Sequence, residues 1–124
     1  MPRFVLLCHD CPPDFGRPSH WDLMLQSGDV LRTWALAELP QVSSRNHCVD
    51  AERLADHRLE YLEYEGPVSG DRGTVRRVDA GTFETLFETS DCWEIRLNGS
   101  VLSGSLALCR AKESHWMLTV KPNA

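Results

Sequence analysis

Several features that would define a class of protein are missing from this 124-residue sequence. No apolar run approaches the ~20 residues that a membrane-spanning helix needs, and the first residues lack the apolar region of a signal peptide, so no membrane association is expected. The net charge of −5 disfavours a large, sequence-independent nucleic-acid interface, because such interfaces depend on clustered lysine and arginine. A small pocket that binds one phosphate is still compatible with this charge.

The five cysteines do not form a recognisable framework. Their number is odd, their spacing is irregular and no CxxC pair occurs among Cys8, Cys11, Cys48, Cys92 and Cys109. Disulfide scaffolds and zinc ribbons are therefore poorly supported. A reducing compartment fits this pattern better, and a cytoplasmic protein is expected.

Short segments typical of β-strands are separated by turn residues along the chain. The predicted strands cover 3–9, 20–26, 30–37, 74–78, 82–88, 92–97, 101–109 and 116–120. Asn98-Gly99 is the strongest hairpin signal, and Asp79-Ala80-Gly81 is predicted to be a turn. Turns about every ten residues predict a mainly β fold, a compact closed or nearly closed β-barrel of about eight strands, as a single domain over residues 1–124.

The less regular segments predict a loop and one or two short helices. Residues 10–19 contain three prolines and a glycine, which predicts a loop. Asp50 is placed to cap a short helix from Ala51 to Asp56. Residues 57–65 are predicted to be an extended run, in which His57, Leu59, Tyr61 and Glu63 share one side.

Histidines near the N-terminus suggest a metal site. If residues 20–26 form a strand, His20 and Asp22 point to one face and Trp21 to the other. His9 ends the first predicted strand, so pairing of these two strands would bring two imidazoles and one carboxylate together. Such a set suits manganese, iron or zinc. The alternative is a surface histidine and aspartate on the outer face of a hairpin.

A series of short motifs extends over nearly the whole chain. It consists of Arg3-Phe4-Val5, His9, His20-Trp21-Asp22, Gly28, Trp34-Ala35, Asp56-His57, Tyr61, Glu65-Gly66, Gly73-Thr74-Val75 and Leu97-Asn98-Gly99. In order and spacing these motifs resemble the 3′-phosphoesterase domain of bacterial DNA ligase D. The resemblance implies a compact β-barrel with short flanking helices.

The resemblance also implies an activity and a set of site residues. By position His9, His20 and Asp22 would bind a divalent metal, with manganese expected first and zinc or another transition metal as alternatives. His57 and Tyr61 would act on the scissile phosphate. The implied function is hydrolysis of phosphoesters at nucleic-acid 3′ ends of primer-template DNA or RNA in repair. A DNA ligase or repair polymerase is a candidate partner, and a monomer is expected.

Three positions depart from the family pattern. Met24 stands where the family has a phosphate-binding arginine, and the spacer between His9 and His20 is longer. The segment before His57 is shorter, so Arg53 becomes the nearest candidate for phosphate binding and Arg45 a poorer one. Loss of an arginine removes a bidentate phosphate contact. Two alternatives follow: a catalytically weak or inactive relative that binds DNA ends or a repair partner, and a hydrolase of small phosphorylated metabolites.

Charged residues in the second half leave two further interpretations open. Arg72, Arg76 and Arg77 form either a patch for a nucleic-acid backbone or a solvated strand face. Glu63 and Glu65 either orient a metal-bound histidine or contribute only to solubility.

Overall fold

The computed structural model describes residues 1–14, 16–70 and 72–122, so Phe15 of the predicted proline loop lies outside the described residues. The strands are β1 (Arg3–Asp10), β2 (His20–Ser27), β3 (Val30–Leu36), β4 (His47–Arg58), β5 (Gly66–Pro67), β6 (Thr74–Glu88), β7 (Cys92–Gly99), β8 (Ser103–Lys112) and β9 (His115–Val120). A 3₁₀ turn spans Leu59–Leu62.

Eight of these strands close into an antiparallel barrel. They are ordered β1-β2-β3-β4-β9-β8-β7-β6, and β6 pairs back with β1, while the two-residue β5 pairs only with β6. Closure gives every strand of the ring two hydrogen-bonded neighbours and leaves no open sheet edge. The prediction of a mainly β, closed barrel of about eight strands is confirmed.

Alternate residues of each strand face the interior and the outside of the barrel. On β1, Phe4 and Leu6 belong to the large interior core, whereas Val5 and Leu7 belong to a smaller cluster on the outer face. Leu62 of the 3₁₀ turn packs on this outer cluster. The candidate site lies on the same outer face, beside the 3₁₀ turn that packs on the smaller cluster.

The helix predicted from Ala51 to Asp56 is a strand instead. These residues belong to β4, which pairs with β3 on one side and with β9 on the other. Ala51 is buried in the interior core. Two rows of inter-strand hydrogen bonds outweigh a weak local helix preference. Among the described residues, the expected short helices reduce to the turn Leu59–Leu62, which also interrupts the extended run predicted over 57–65.

Asp79 lies within a continuous strand rather than in the predicted turn. Strand β6 passes through this position with a bulge in its pairing to β1. The buried Asp79 carboxylate accepts hydrogen bonds from the backbone N–H groups of residues 100–102. It thereby stabilises the connection between β7 and β8. The hairpin signalled by Asn98-Gly99 is present, with both residues at the end of β7.

Cys92 and Cys109 lie opposite each other on β7 and β8 and are joined by a disulfide. The irregular cysteine spacing, which gave poor support to a disulfide framework, did not indicate this pair. Sequence spacing could not reveal the pairing, because the register of two strands places the two side chains together. The cysteine pattern therefore no longer supports a reducing compartment. None of the helical segments in the described part of the chain has the length and apolar character needed to cross a membrane.

Candidate metal centre

His9 and His20 face each other across the β1–β2 pair. The strand register places them directly opposite, and their ring centroids are 4.8 Å apart. Asp22 lies on the same outer face as His20 because side chains alternate along β2. Its Oδ2 is 3.4 Å from His9 Nδ1, and its Oδ1 is 3.0 Å from His20 Nε2. The structure thus brings the three predicted metal ligands together.

Backbone carbonyls orient both imidazoles. His9 Nε2 lies 2.6 Å from the carbonyl oxygen of Arg72, and His20 Nδ1 lies 3.0 Å from that of Pro18. A carbonyl oxygen only accepts hydrogen bonds, so each of these ring nitrogens carries the proton. The other nitrogen of each ring faces Asp22 and is the one available to a metal. Metal-binding histidines are commonly oriented by a carbonyl in this way.

Glu63 and Glu65, the sequence candidates for this orienting role, lie elsewhere. Glu63 is 3.8 Å from the Arg3 guanidinium, and Glu65 accepts a hydrogen bond from the backbone N–H of Arg77. Sequence reasoning cannot assign a backbone carbonyl to this task, since every residue carries one.

The atoms that face each other in this cluster are buried. Within the described residues, neither His20 Nε2 nor Asp22 Oδ1 has a hydrogen-bond partner. With neutral imidazoles, nitrogen lone pairs would point at an anionic carboxylate, which is unfavourable away from water. A cation resolves this conflict, whether it is a proton on a ring or a metal ion. The donor set therefore fits a divalent metal.

These contacts also shift the pKa values of the cluster. Burial opposes ionisation of Asp22, but the adjacent His20 and His9 outweigh burial and lower the pKa of its carboxyl. Contact with Asp22 raises the pKa of His9 above its ordinary value, although burial opposes this. Asp22 is therefore an anion at neutral pH and can serve as a charged metal ligand.

Cys11 is a member of the cluster that sequence reasoning missed. Its Sγ lies 3.9 Å from His20 Nδ1, and ligand atoms of His9, Cys11 and His20 all lie within 4.8 Å of one another. Burial raises the pKa of the Cys11 thiol, and the negative charge of Asp22 adds to this effect. These three residues can hold a metal ion. The available sequence signal was the position of Cys11 two residues after His9.

A pocket of about 180 Å³ opens beside the cluster. His57 and Tyr61 line it together with the three predicted ligands. The rings of His57 and Tyr61 are 5.6 Å apart, and His57 Nδ1 is 2.9 Å from the carbonyl oxygen of Ala55. His57 and Tyr61 therefore meet at the predicted place. His57 lies in β4, and the 3₁₀ turn that follows brings Tyr61 beside it, in place of the extended run predicted over 57–65.

Arg53 points away from this pocket, toward the interior side of β4. Its guanidinium lies 4.6 Å from the centre of the Trp34 ring. It donates hydrogen bonds to the carbonyls of Thr33 and Leu54 and to the Asp56 carboxylate. The helix predicted for this segment gave the wrong direction for the Arg53 side chain, because neighbouring residues of a strand point to opposite faces. The structure does not bring Arg53 to the predicted phosphate site.

Two other arginines line the pocket instead. Arg17 comes from the proline loop and lies 3.0 Å from Glu52. Arg72 comes from the segment before β6, and its guanidinium donates to the carbonyl and hydroxyl oxygens of Ser69. Met24, at the position expected to hold an arginine, is 1% exposed and lines the same pocket. Sequence reasoning noted Arg72 only as part of a patch and did not single out Arg17.

Gly73 allows the segment that carries Arg72 to cross the end of β1. Its φ of +91° favours glycine, and a Cβ at this position would collide with the carbonyl group of Asp10. This close approach places the Arg72 carbonyl against His9. One backbone position thus supports the orientation of a candidate metal ligand.

The fold and the site define a β-barrel protein with a candidate metal centre beside an arginine-lined outer pocket. The sequence model of the DNA ligase D 3′-phosphoesterase domain matches residues 14–110, and the chain belongs to this family. The match includes His20 and Asp22, whereas His9 and Cys11 precede it. A search of curated proteins gives no match. Family membership indicates a phosphoesterase-like function.

Proposed function

We propose that the chain is a metal-dependent phosphoesterase that processes the 3′ ends of nucleic acid. One observation carries this proposal. In a chain of the DNA ligase D 3′-phosphoesterase family, a single pocket joins the metal cluster to His57, Tyr61 and two arginines. Phosphoester hydrolysis needs positive charge near the phosphoryl oxygens and a proton for the leaving oxygen. The pocket contains a candidate residue for each requirement.

His9, His20 and Asp22 would hold the metal. A bound divalent ion would polarise a phosphoryl oxygen or activate a water molecule. Family membership favours manganese, and zinc or another transition metal is the alternative. The carbonyls of Arg72 and Pro18 keep the metal-binding nitrogens turned toward Asp22.

His57 is assigned to proton transfer. Since the Ala55 carbonyl holds the proton of Nδ1, Nε2 is the nitrogen that exchanges a proton in the pocket. The edge of the neighbouring Tyr61 ring limits rotation of this imidazole. The Tyr61 hydroxyl can donate a hydrogen bond to a phosphoryl oxygen.

Phosphate binding is assigned to Arg17 and Arg72 rather than to Arg53. A guanidinium can donate two parallel hydrogen bonds to a phosphate, which a single ammonium group cannot. Arg17 pairs with Glu52, and both side chains of this pair are partly exposed. Replacing the Glu52 carboxylate with a phosphate as the partner of Arg17 therefore requires little free energy, because exposed ion pairs contribute about 0–1 kcal/mol.

A neighbouring groove of about 540 Å³ shares Arg17 and His20 with the pocket. Ala35 and Ala37 contribute apolar surface to it, and Asp50 and Glu52 add negative charge. Such a surface suits an uncharged nucleoside better than a run of phosphates. We assign the nucleoside next to the scissile phosphate to this groove.

The biological setting is also a proposal. Family membership supports a role in DNA end joining and repair on primer-template DNA or RNA, beside a DNA ligase or repair polymerase. We propose that the chain acts there as a monomer in the cytoplasm.

A 3′-end assay with manganese and, in parallel, with zinc tests the proposal. The substrate is a primer-template that ends in a 3′-phosphate or a 3′-terminal ribonucleotide. His20→Ala and His57→Ala should abolish release of the terminal group. His47→Ala should retain it, because His47 contacts Glu38 at 2.9 Å and is not among the residues that line the pocket. Absence of cleavage by excess wild-type protein with either metal would refute the proposal.

The second candidate is an inactive relative that binds DNA ends or a repair partner. Buried Met24 favours it, since a thioether cannot bind phosphate as the family arginine does. Unchanged affinity for a DNA end without any turnover would support this candidate. Turnover of small phosphomonoesters without activity on polynucleotides would instead indicate a hydrolase of phosphorylated metabolites.

A further inference from the structure

Cys11 adds a sulfur donor to the candidate metal centre, at a position before the family match begins. Its backbone N–H donates to the Ser19 hydroxyl at 3.0 Å, which holds the two ends of the proline loop together next to His20. The following Pro12 restricts Cys11 to extended conformations. These constraints keep the thiol beside the histidines, with Sγ 3.9 Å from His20 Nδ1 and 4.0 Å from the His9 carbonyl oxygen.

A second observation points to a ligand at this place. His20 and Asp22 are only 6% and 3% exposed, and within the described part of the chain His20 Nε2 and Asp22 Oδ1 lack hydrogen-bond partners. His20 also belongs to the group in which ligand atoms of His9, Cys11 and His20 lie within 4.8 Å of one another, and Asp22 contacts both of these histidines. Cys11 is half-buried and carries a free thiol.

We propose that Cys11 binds the metal as a thiolate together with His9, His20 and Asp22, and that this chain therefore selects zinc over manganese. Thiolate sulfur is a soft donor that favours zinc, whereas manganese favours carboxylate and water oxygen. Zinc binding releases the thiol proton to solvent. Four protein donors match the usual coordination number of zinc, which can accept a phosphoryl oxygen as a fifth ligand.

The inference rests on the metal site of the proposed function, but it does not depend on phosphoesterase activity. Cobalt is a suitable probe, because a cobalt–thiolate bond produces a near-ultraviolet charge-transfer band in addition to the visible d–d bands. The full chain is titrated with Co²⁺ and followed by absorption. Cys11→Ser and Cys11→Ala are compared with Cys48→Ser, a change at an exposed cysteine of β4.

Wild type and Cys48→Ser should show both kinds of band. Both Cys11 variants should lose the charge-transfer band and keep the visible bands. Competition between zinc and manganese gives a second readout. Cys11→Ser should lower zinc affinity at least roughly tenfold and change manganese affinity much less, so that the preference for zinc shrinks.

The outcomes separate this inference from the proposed function. Visible bands without a charge-transfer band in the wild type would overturn the role of Cys11 and leave the metal site intact. Absence of any cobalt band would overturn both the thiolate ligand and the metal dependence of the proposed function. A charge-transfer band that persists in both Cys11 variants would also overturn the inference.

Discussion

Asp22→Asn should separate metal binding from folding. The buried Asp22 carboxylate contacts both His9 and His20, and asparagine has nearly the same shape without the charge. The substitution removes the buried negative charge of the carboxylate. It also removes the desolvation penalty of the carboxylate. We expect the free energy of unfolding of the metal-free protein to change by no more than about 1 kcal/mol.

In the presence of metal, the variant and the wild type should differ clearly. A metal at 100 times its Kd stabilises the native state by about 2.7 kcal/mol. With about 2.1 cal/mol/K per residue, the unfolding entropy of this 124-residue chain is roughly 260 cal/mol/K, so the wild-type Tm should rise by roughly 10 °C. A hundredfold loss of affinity in Asp22→Asn would leave about 0.4 kcal/mol, or a rise of less than about 2 °C.

Thermal denaturation at pH 8, with and without zinc or manganese, measures this difference. Asp29→Asn is the matched control, because Asp29 is an exposed aspartate in the turn between β2 and β3. It should show the full wild-type response to metal. If metal raises the Tm of Asp22→Asn as much as that of the wild type, Asp22 is not a ligand and the site must be reassigned.

Three further substitutions test other parts of the structure. Arg17→Ala should lower kcat/KM for a phosphoester roughly 10- to 100-fold, because a hydrogen bond to a charged group contributes about 1.5–3 kcal/mol. Metal should still raise the Tm of this variant. Loss of the metal-induced rise in Tm along with kcat/KM would contradict a phosphate role. Gly73→Ala should weaken metal binding in a calorimetric titration, since it displaces the carbonyl that orients His9; wild-type affinity would contradict this. Asp79→Ala should lower the free energy of unfolding by about 2–4 kcal/mol in urea denaturation, because the N–H groups of 100–102 lose their acceptor, and a loss below about 1 kcal/mol would count against that role.

Side-chain alternation was enough to predict the barrel and one half of the site. The direction of a side chain in a strand is a local property, so His20 and Asp22 could be placed on one face without knowing any partner strand. The consecutive strands predicted at 20–26 and 30–37 form β2 and β3 and pair as a hairpin. Together these local signals indicated the fold class and the first metal ligands.

Long-range pairing overruled the local signals at other positions. Residues 51–56 have a composition suited to a short helix, but they form the strand that links β3 to β9 in the closed barrel. Arg53 consequently faces the interior beside Trp34 rather than the pocket. Strand register likewise decided the pairing of Cys92 with Cys109. No spacing rule along the chain encodes these contacts.

The rest of the site depends on the closure of the barrel. Strand β1 pairs with β2 on one side and with β6 on the other, which brings the proline loop and the segment before β6 to the same end of β1. Arg72 therefore meets His9 although 63 residues separate them, and Cys11 and Arg17 of the proline loop lie at the same end of β1. Local chemistry determines which residues can bind a metal or a phosphate. Contacts between distant segments determine which of them meet, because backbone pairing brings distant segments together irrespective of their separation in the sequence.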